Sequence, residues 1–169
     1  MPHTGQLEVT TPSDREIVMT RVFDAPRRLV FDAWSKPELV RRWLGVRGGW
    51  TFAVCEIDLR VGGKYRFVWQ GPGGEKLAMG GEYREIVKPE RIVSTEHFDD
   101  PWYEGQVLDT LTFVEKDGKT IATTTVLCDS KEIRDGMLKS GMTRGIVESY
   151  DVLDDVLSSI AGEPIAAKS

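Results

Sequence analysis

Acid–base chemistry in this 169-residue chain has few places to come from. His97, beside Glu96, is the only histidine beyond the N-terminal tail. Adjacent residues on a strand point to opposite faces, so these two cannot form a close pair in a regular strand. Glu56 with Asp58, and Glu82 with Arg84, do share a strand face, which reads as a solvated or salt-bridged surface. A carboxylate turned into an apolar cavity would instead be a proton carrier, because burial raises its pKa. Ser140, Thr143 and Ser149 have no visible histidine or aspartate partner, so no hydrolytic triad is read. Cys55 and Cys128 sit in the apolar runs VCEI and VLCD without CxxC or Cys/His spacing. Two buried free thiols in a reducing cytosol are expected there, rather than a disulfide or a zinc site. Gly62-Gly63 and the glycines at 71–74 lead into no helix that could hold a phosphate, so they are turns. These residues assign no catalytic group, no metal and no cofactor.

Recognition by apolar contact is better represented. Tyr65, Phe67 and Trp69 alternate along one strand and share its face; Tyr83, Leu111 and Phe113 join them if registers align. Such a row is either ordinary core or the wall of an apolar pocket, with tyrosine hydroxyls and tryptophan N–H groups as its polar handles. A partly filled core is both. Trp102 and Tyr103, in the loop DPWYEG, are read as candidates for a lid over a cavity mouth, or as a loop tucked onto the surface. The residues expected to contact a ligand are Phe67, Trp69, Tyr83 and Phe113 as walls, His97 as a polar anchor, Met142 as an adaptable filler, and Tyr150.

The elements that must position them follow from periodicity and turn chemistry. A β-branched strand over 15–23 stops at Asp24-Ala25-Pro26, and two short amphipathic helices over 27–34 and 37–44 follow, each opened by a proline. Strands are predicted over 50–59, 64–70, 76–87, 91–98, 107–115 and 119–127, with a hairpin across Lys116-Asp117-Gly118. Gly80-Gly81 inside one of them suggests a bulge or the close approach of another backbone. From Ser130 the period becomes helical, and one long helix of roughly thirty residues is predicted, closed by Gly162 and Pro164. Gly136, Gly141 and Gly145 are odd within it, and imply a loosened N-terminal half or room for something beside the helix.

A chain with 40% apolar and 29% charged residues suits one compact domain. The expected division is a loose segment over 1–14, a single domain over 15–161 and a tail over 162–169. A net charge of −5 argues against nucleic acid as a partner. No secretory signal or membrane-length apolar run is visible, so the cytoplasm is the expected location, with no membrane insertion. The acidic surface does not forbid a homodimer, but nothing specifies an interface.

Five pieces in order carry a resemblance: FDAPRRLVFDAWSKPELVRRWLG, CEIDLRVGGKYRF, GEYREIVKPERIVST, the TLTF…DGKTIATTT hairpin and SGMTRGIVESYDVLDDVL. Together they resemble the START-like (SRPBCC) superfamily and, within it, the activator of heat-shock protein 90 ATPase-like family. Relatives often carry two aromatics where this chain has Trp43-Leu44, and Gly-Trp where it has Gly145-Ile146. The resemblance implies an α+β helix-grip fold: a curved antiparallel sheet wrapped around a long C-terminal helix, with two short helices between the first and second strands. It implies a cavity between sheet and helix that binds a small hydrophobic or amphipathic molecule. Two alternatives come with it: a cyclase- or dehydratase-type enzyme using the same cavity, and a co-chaperone-like module in the stress response acting on a heat-shock-90-type chaperone.

Overall fold

Alternation of apolar and polar residues, interrupted by glycine-rich turns, builds eight antiparallel strands in a computed structural model that describes residues 6–161. They are β1 (Glu8–Thr10), β2 (Glu16–Phe23), β3 (Thr51–Ile57), β4 (Lys64–Gln70), β5 (Lys76–Val87), β6 (Arg91–Phe98), β7 (Val107–Lys116) and β8 (Lys119–Cys128). The order across the sheet is β1-β2-β8-β7-β6-β5-β4-β3, so all but one neighbouring pair are consecutive in sequence. The β7–β8 hairpin closes on Asp117 and Gly118 with φ of 55° and 77°, the left-handed pair that a two-residue turn between Lys116 and Lys119 needs. β1 lies within the stretch expected to be loose, paired through Val9 with Met19.

Helices α1 (Arg27–Ser35) and α2 (Pro37–Val40) sit between β2 and β3. The C-terminal helical region is two helices, not one. α3 (Lys131–Lys139) is capped by Ser130, whose hydroxyl accepts from the Ile133 amide at 3.2 Å. Gly141, at φ 85°, then breaks the run before α4 (Met142–Ala161). A left-handed residue cannot continue a right-handed helix, which is why the expected thirty-residue helix divides there. The expected tail over 162–169 lies outside the described residues.

The sheet bends around α4. Tyr150, Leu153, Val156, Leu157 and Ile160 of α4 enter one core with Phe23 of β2, Phe67 of β4 and Phe113 of β7. Arg21 of β2 is fully buried in this interface. Its Nη2 donates to Asp151 and Asp154 of α4, and its guanidinium lies over the rings of Phe23 and Tyr150, at 5.4 and 5.8 Å from their centroids. Nε and Nη1 find no oxygen acceptor, and the two ring faces are what they meet instead.

Candidate functional site

Sheet and helix do not fill the space between them. A cavity of about 230 Å³ remains, walled by Tyr65, Phe67 and Trp69 of β4, Met79 and Tyr83 of β5, Trp34 of α1, and Met142, Ile146 and Tyr150 of α4. Trp34 packs edge-on to Trp43 at 4.8 Å and to Tyr150 at 5.6 Å, so one end is closed by rings. A second hollow of about 580 Å³ adjoins it, sharing Leu44, Trp69, Met79, Ile146 and Ser149.

The junction of the two hollows is held by polar groups of the same elements. Trp69 donates its indole N–H to the Leu44 carbonyl at 2.9 Å, and the Gly45 amide donates to the Ser149 hydroxyl at 3.0 Å. Gly45 stands at φ 70°, and a Cβ there would lie 2.8 Å from Trp69 Nε1. Glycine is required on both counts. Gly145 of α4 has open space around it.

Carboxyls enter the cavity from the centre of the sheet. Asp109 of β7 stands opposite Ser94 of β6, and Glu96 is the next inward residue along β6; all three line the cavity. Asp109 keeps some accessible surface as a residue, but its Oδ1 is buried and meets no hydrogen-bond donor. Burial, then the neighbouring Glu96 carboxylate, pushes the Asp109 carboxyl well above its ordinary pKa. Two neighbouring carboxyls repel when both are charged, which favours the protonated form of Asp109. Among the described residues, no lysine, arginine or histidine lines the cavity.

Tyr65 reaches the strand that carries Glu96 because of a glycine. Gly81 of β5 lies opposite Tyr65 in the ladder, and the ring passes over it to donate its hydroxyl to the Thr95 carbonyl at 2.7 Å. A Cβ on Gly81 would fall 2.8 Å from that ring and inside the Thr95 carbonyl oxygen. The close backbone approach expected at Gly80-Gly81 is therefore present, with Thr95 as the neighbour. Burial, then the charges of Asp109 and Glu96, raises the Tyr65 phenol above its ordinary value.

Five of the residues expected to touch a ligand, Phe67, Trp69, Tyr83, Met142 and Tyr150, line the cavity. Two do not. His97 is exposed, because strand alternation turns it outward while its neighbour Glu96 turns inward. Phe113 faces inward but is 1% exposed and consumed by packing, with Phe31 at 5.8 Å and Trp34 at 5.4 Å. Trp102 and Tyr103 do not line either hollow. Trp102 lies on Gly136 of α3, where a Cβ would meet its ring at 2.4 Å, so the room left by that glycine is used by the loop. Tyr103 packs against the smaller core beside Met137 and Cys128, and burial raises its phenol to about 12. Both cysteines are free and buried, which pushes each thiol to about 11.

The Glu96–Asp109 pair, Trp34 and Trp43 escaped the reading of the residues. The signal for Asp109 lies in VLDTLTF, where Val107, Leu111 and Phe113 share its face. A lone acid in an apolar alternating row must either break the strand's pattern or face the core.

The family model described as Activator of Hsp90 ATPase homolog 1-like protein matches residues 24–158. A crystal structure of a Rhodobacter sphaeroides protein is 28% identical and superposes with a TM-score of 0.85, covering 92% of this chain and 99% of that one. Protein CV1439 from Chromobacterium violaceum is 28% identical, with a TM-score of 0.75 over 86% of this chain and 98% of its own. Protein Ms6760 from Mycobacterium smegmatis, at 24% identity and a TM-score of 0.79, covers 90% of this chain and 97% of its own and shares the fold. No curated protein matches the sequence significantly. No helix among the described residues is long and apolar enough to cross a membrane.

Proposed function

We propose that this chain, which belongs to the Activator of Hsp90 ATPase homolog 1-like family, binds a small hydrophobic or amphipathic molecule between its sheet and α4. The family's helix-grip fold often serves that purpose. The observation that carries the reading here is the unfilled, aromatic-walled cavity of about 230 Å³ bounded by Phe67, Trp69, Tyr83, Met142 and Tyr150. A core left unfilled forgoes dispersion contacts that a guest can supply. Affinity then comes from the apolar area removed from water, about 25 cal/mol per Å² before the cost of ordering the guest. Native mass spectrometry of the protein purified from its own host tests this: a co-purified organic molecule is the expected result. Protein that emerges empty and takes up no neutral apolar compound offered to it contradicts the reading.

One observation favours a second use of the same cavity, proton-transfer chemistry of the cyclase or dehydratase kind: two carboxyls, Glu96 and Asp109, line it, and burial raises the pKa of Asp109. An enzyme of that kind loses turnover in Asp109→Asn while keeping its affinity for the bound molecule; loss of both, or of neither, argues against it.

A further inference from the structure

The carboxyl pair gives the cavity a chemical preference, an inference that rests on the reading of the cavity as a binding site. Three features of the wall point the same way. Asp109 Oδ1 is buried and meets no hydrogen-bond donor among the described residues, so a ligand that donates to it would relieve an unpaired acceptor. Two carboxyls, Glu96 and Asp109, line the cavity, and among the described residues its lining contains no lysine, arginine or histidine to balance a negative charge there. The remaining wall is rich in aromatic rings, among them Trp34, Trp43, Tyr65, Phe67, Trp69 and Tyr83. An aromatic ring carries negative charge density on its faces, which favours a cation placed over it.

Charged groups on the surrounding elements do not supply the balance. The buried Arg21 of β2 is engaged by Asp151 and Asp154 of α4 and lies outside the lining. Arg134 of α3 donates to the Ser13 carbonyl and to Asp135. Burial first, and the negative field of the two carboxyls in addition, raise the pKa of Tyr65, Tyr103 and Cys128, and burial raises that of Tyr150. They are neutral donors and add no positive charge.

We infer that Glu96 and Asp109 are the specificity determinant of the cavity, and that its ligand is an apolar molecule carrying one protonated amine. The ammonium donates to Asp109 Oδ1, balances the pair's charge and rests among the ring faces; the apolar remainder lies along Met79, Ile146 and Met142 toward the second hollow. Fatty acids and other anionic amphiphiles are disfavoured by the same carboxyls, whose charge a largely apolar wall screens less than water does.

Isothermal titration calorimetry at neutral pH with 4-phenylbutylamine, 4-phenylbutanol and 4-phenylbutyrate tests this, since the three share a phenylalkyl body and end in a cationic, a neutral and an anionic group. The unmodified protein is expected to bind the amine about tenfold more tightly than the alcohol, and the carboxylate most weakly. The double variant Glu96→Gln/Asp109→Asn, which keeps shape and removes the charge, is expected to bind amine and alcohol alike. Equal binding of all three by the unmodified protein, or a preference for the carboxylate, overturns the inference and leaves the cavity reading intact. An amine preference that survives in the folded double variant overturns the assignment to this pair. Binding of none of the three overturns both. The ranking in the unmodified protein is decisive by itself should the double variant not fold.

Discussion

Tyr65 lies across Gly81, and the absence of a side chain on that glycine lets the phenol hydroxyl reach the Thr95 carbonyl at 2.7 Å. Two strands are pinned to a third at the point where the cavity wall turns acidic. Gly81→Ala places a methyl within the Thr95 carbonyl and against the Tyr65 ring, neither of which is a flexible chain end. We expect a loss of roughly 3 kcal/mol or more, from overpacking against backbone. A urea unfolding midpoint that falls with unchanged slope is the result that supports this; an unchanged midpoint contradicts it.

Asp109→Asn should alter the pH dependence of stability. The folded pKa of Asp109 is raised, so the folded chain holds this proton more tightly than the unfolded chain does. The stability it contributes is present below the unfolded value, about pH 4, and is lost as pH rises through the folded value. Asparagine carries no such penalty and donates to Glu96. The variant is therefore expected to be more stable than the unmodified protein at pH 8 and to show little or no gain near pH 4. Urea titrations at the two pH values measure the difference; a gain that grows toward acid contradicts the assignment.

Arg21 holds α4 to the sheet. Its partners Asp151 and Asp154 are 53% and 31% exposed, so water screens part of each ion pair. Burial raises the Asp154 carboxyl, and the Arg21 charge works against that rise. Arg21→Ala removes a fully buried side chain and leaves Asp154 without its cation, for an expected cost of about 2–3 kcal/mol. Arg21→Met keeps much of the packing and should cost less. Equal thermal midpoints for the two variants would show that charge, not packing, is what the arginine contributes.

Ile146 and Leu44, where relatives of this family often carry aromatic residues, both stand at the junction of the two hollows. Ile146→Trp extends an indole into the space beside Gly145 and should weaken binding of a neutral apolar probe about tenfold, with the fold retained. Unchanged affinity in a folded variant means that the probe binds elsewhere.

Most strands were legible because alternation and turn chemistry agree along them, and the Asp117-Gly118 hairpin stands where its dipeptide indicates. The two-helix C-terminus was not, because apolar spacing at 133, 137, 146 and 150 runs through Gly141 without registering its backbone. Alternation also gave the row Tyr65, Phe67 and Trp69 a common face. It could not say which face of β6 is inner, and so His97 rather than Glu96 was expected in the cavity. Phe113 shows the remaining gap: facing inward does not distinguish a packed core from a wall, since only neighbours such as Phe31 decide whether space is left.

The central claim is that the hollow between sheet and α4 accepts an organic guest. Four methionines are placed to report on it: Met19, Met79 and Met142 line the cavity, whereas Met137 lies in the smaller core outside it. In protein labelled with ¹³C at the methionine methyls and titrated with 4-phenylbutanol, the signals of Met19, Met79 and Met142 should move together and saturate while that of Met137 stays. Saturating shifts at none of the three would contradict the account.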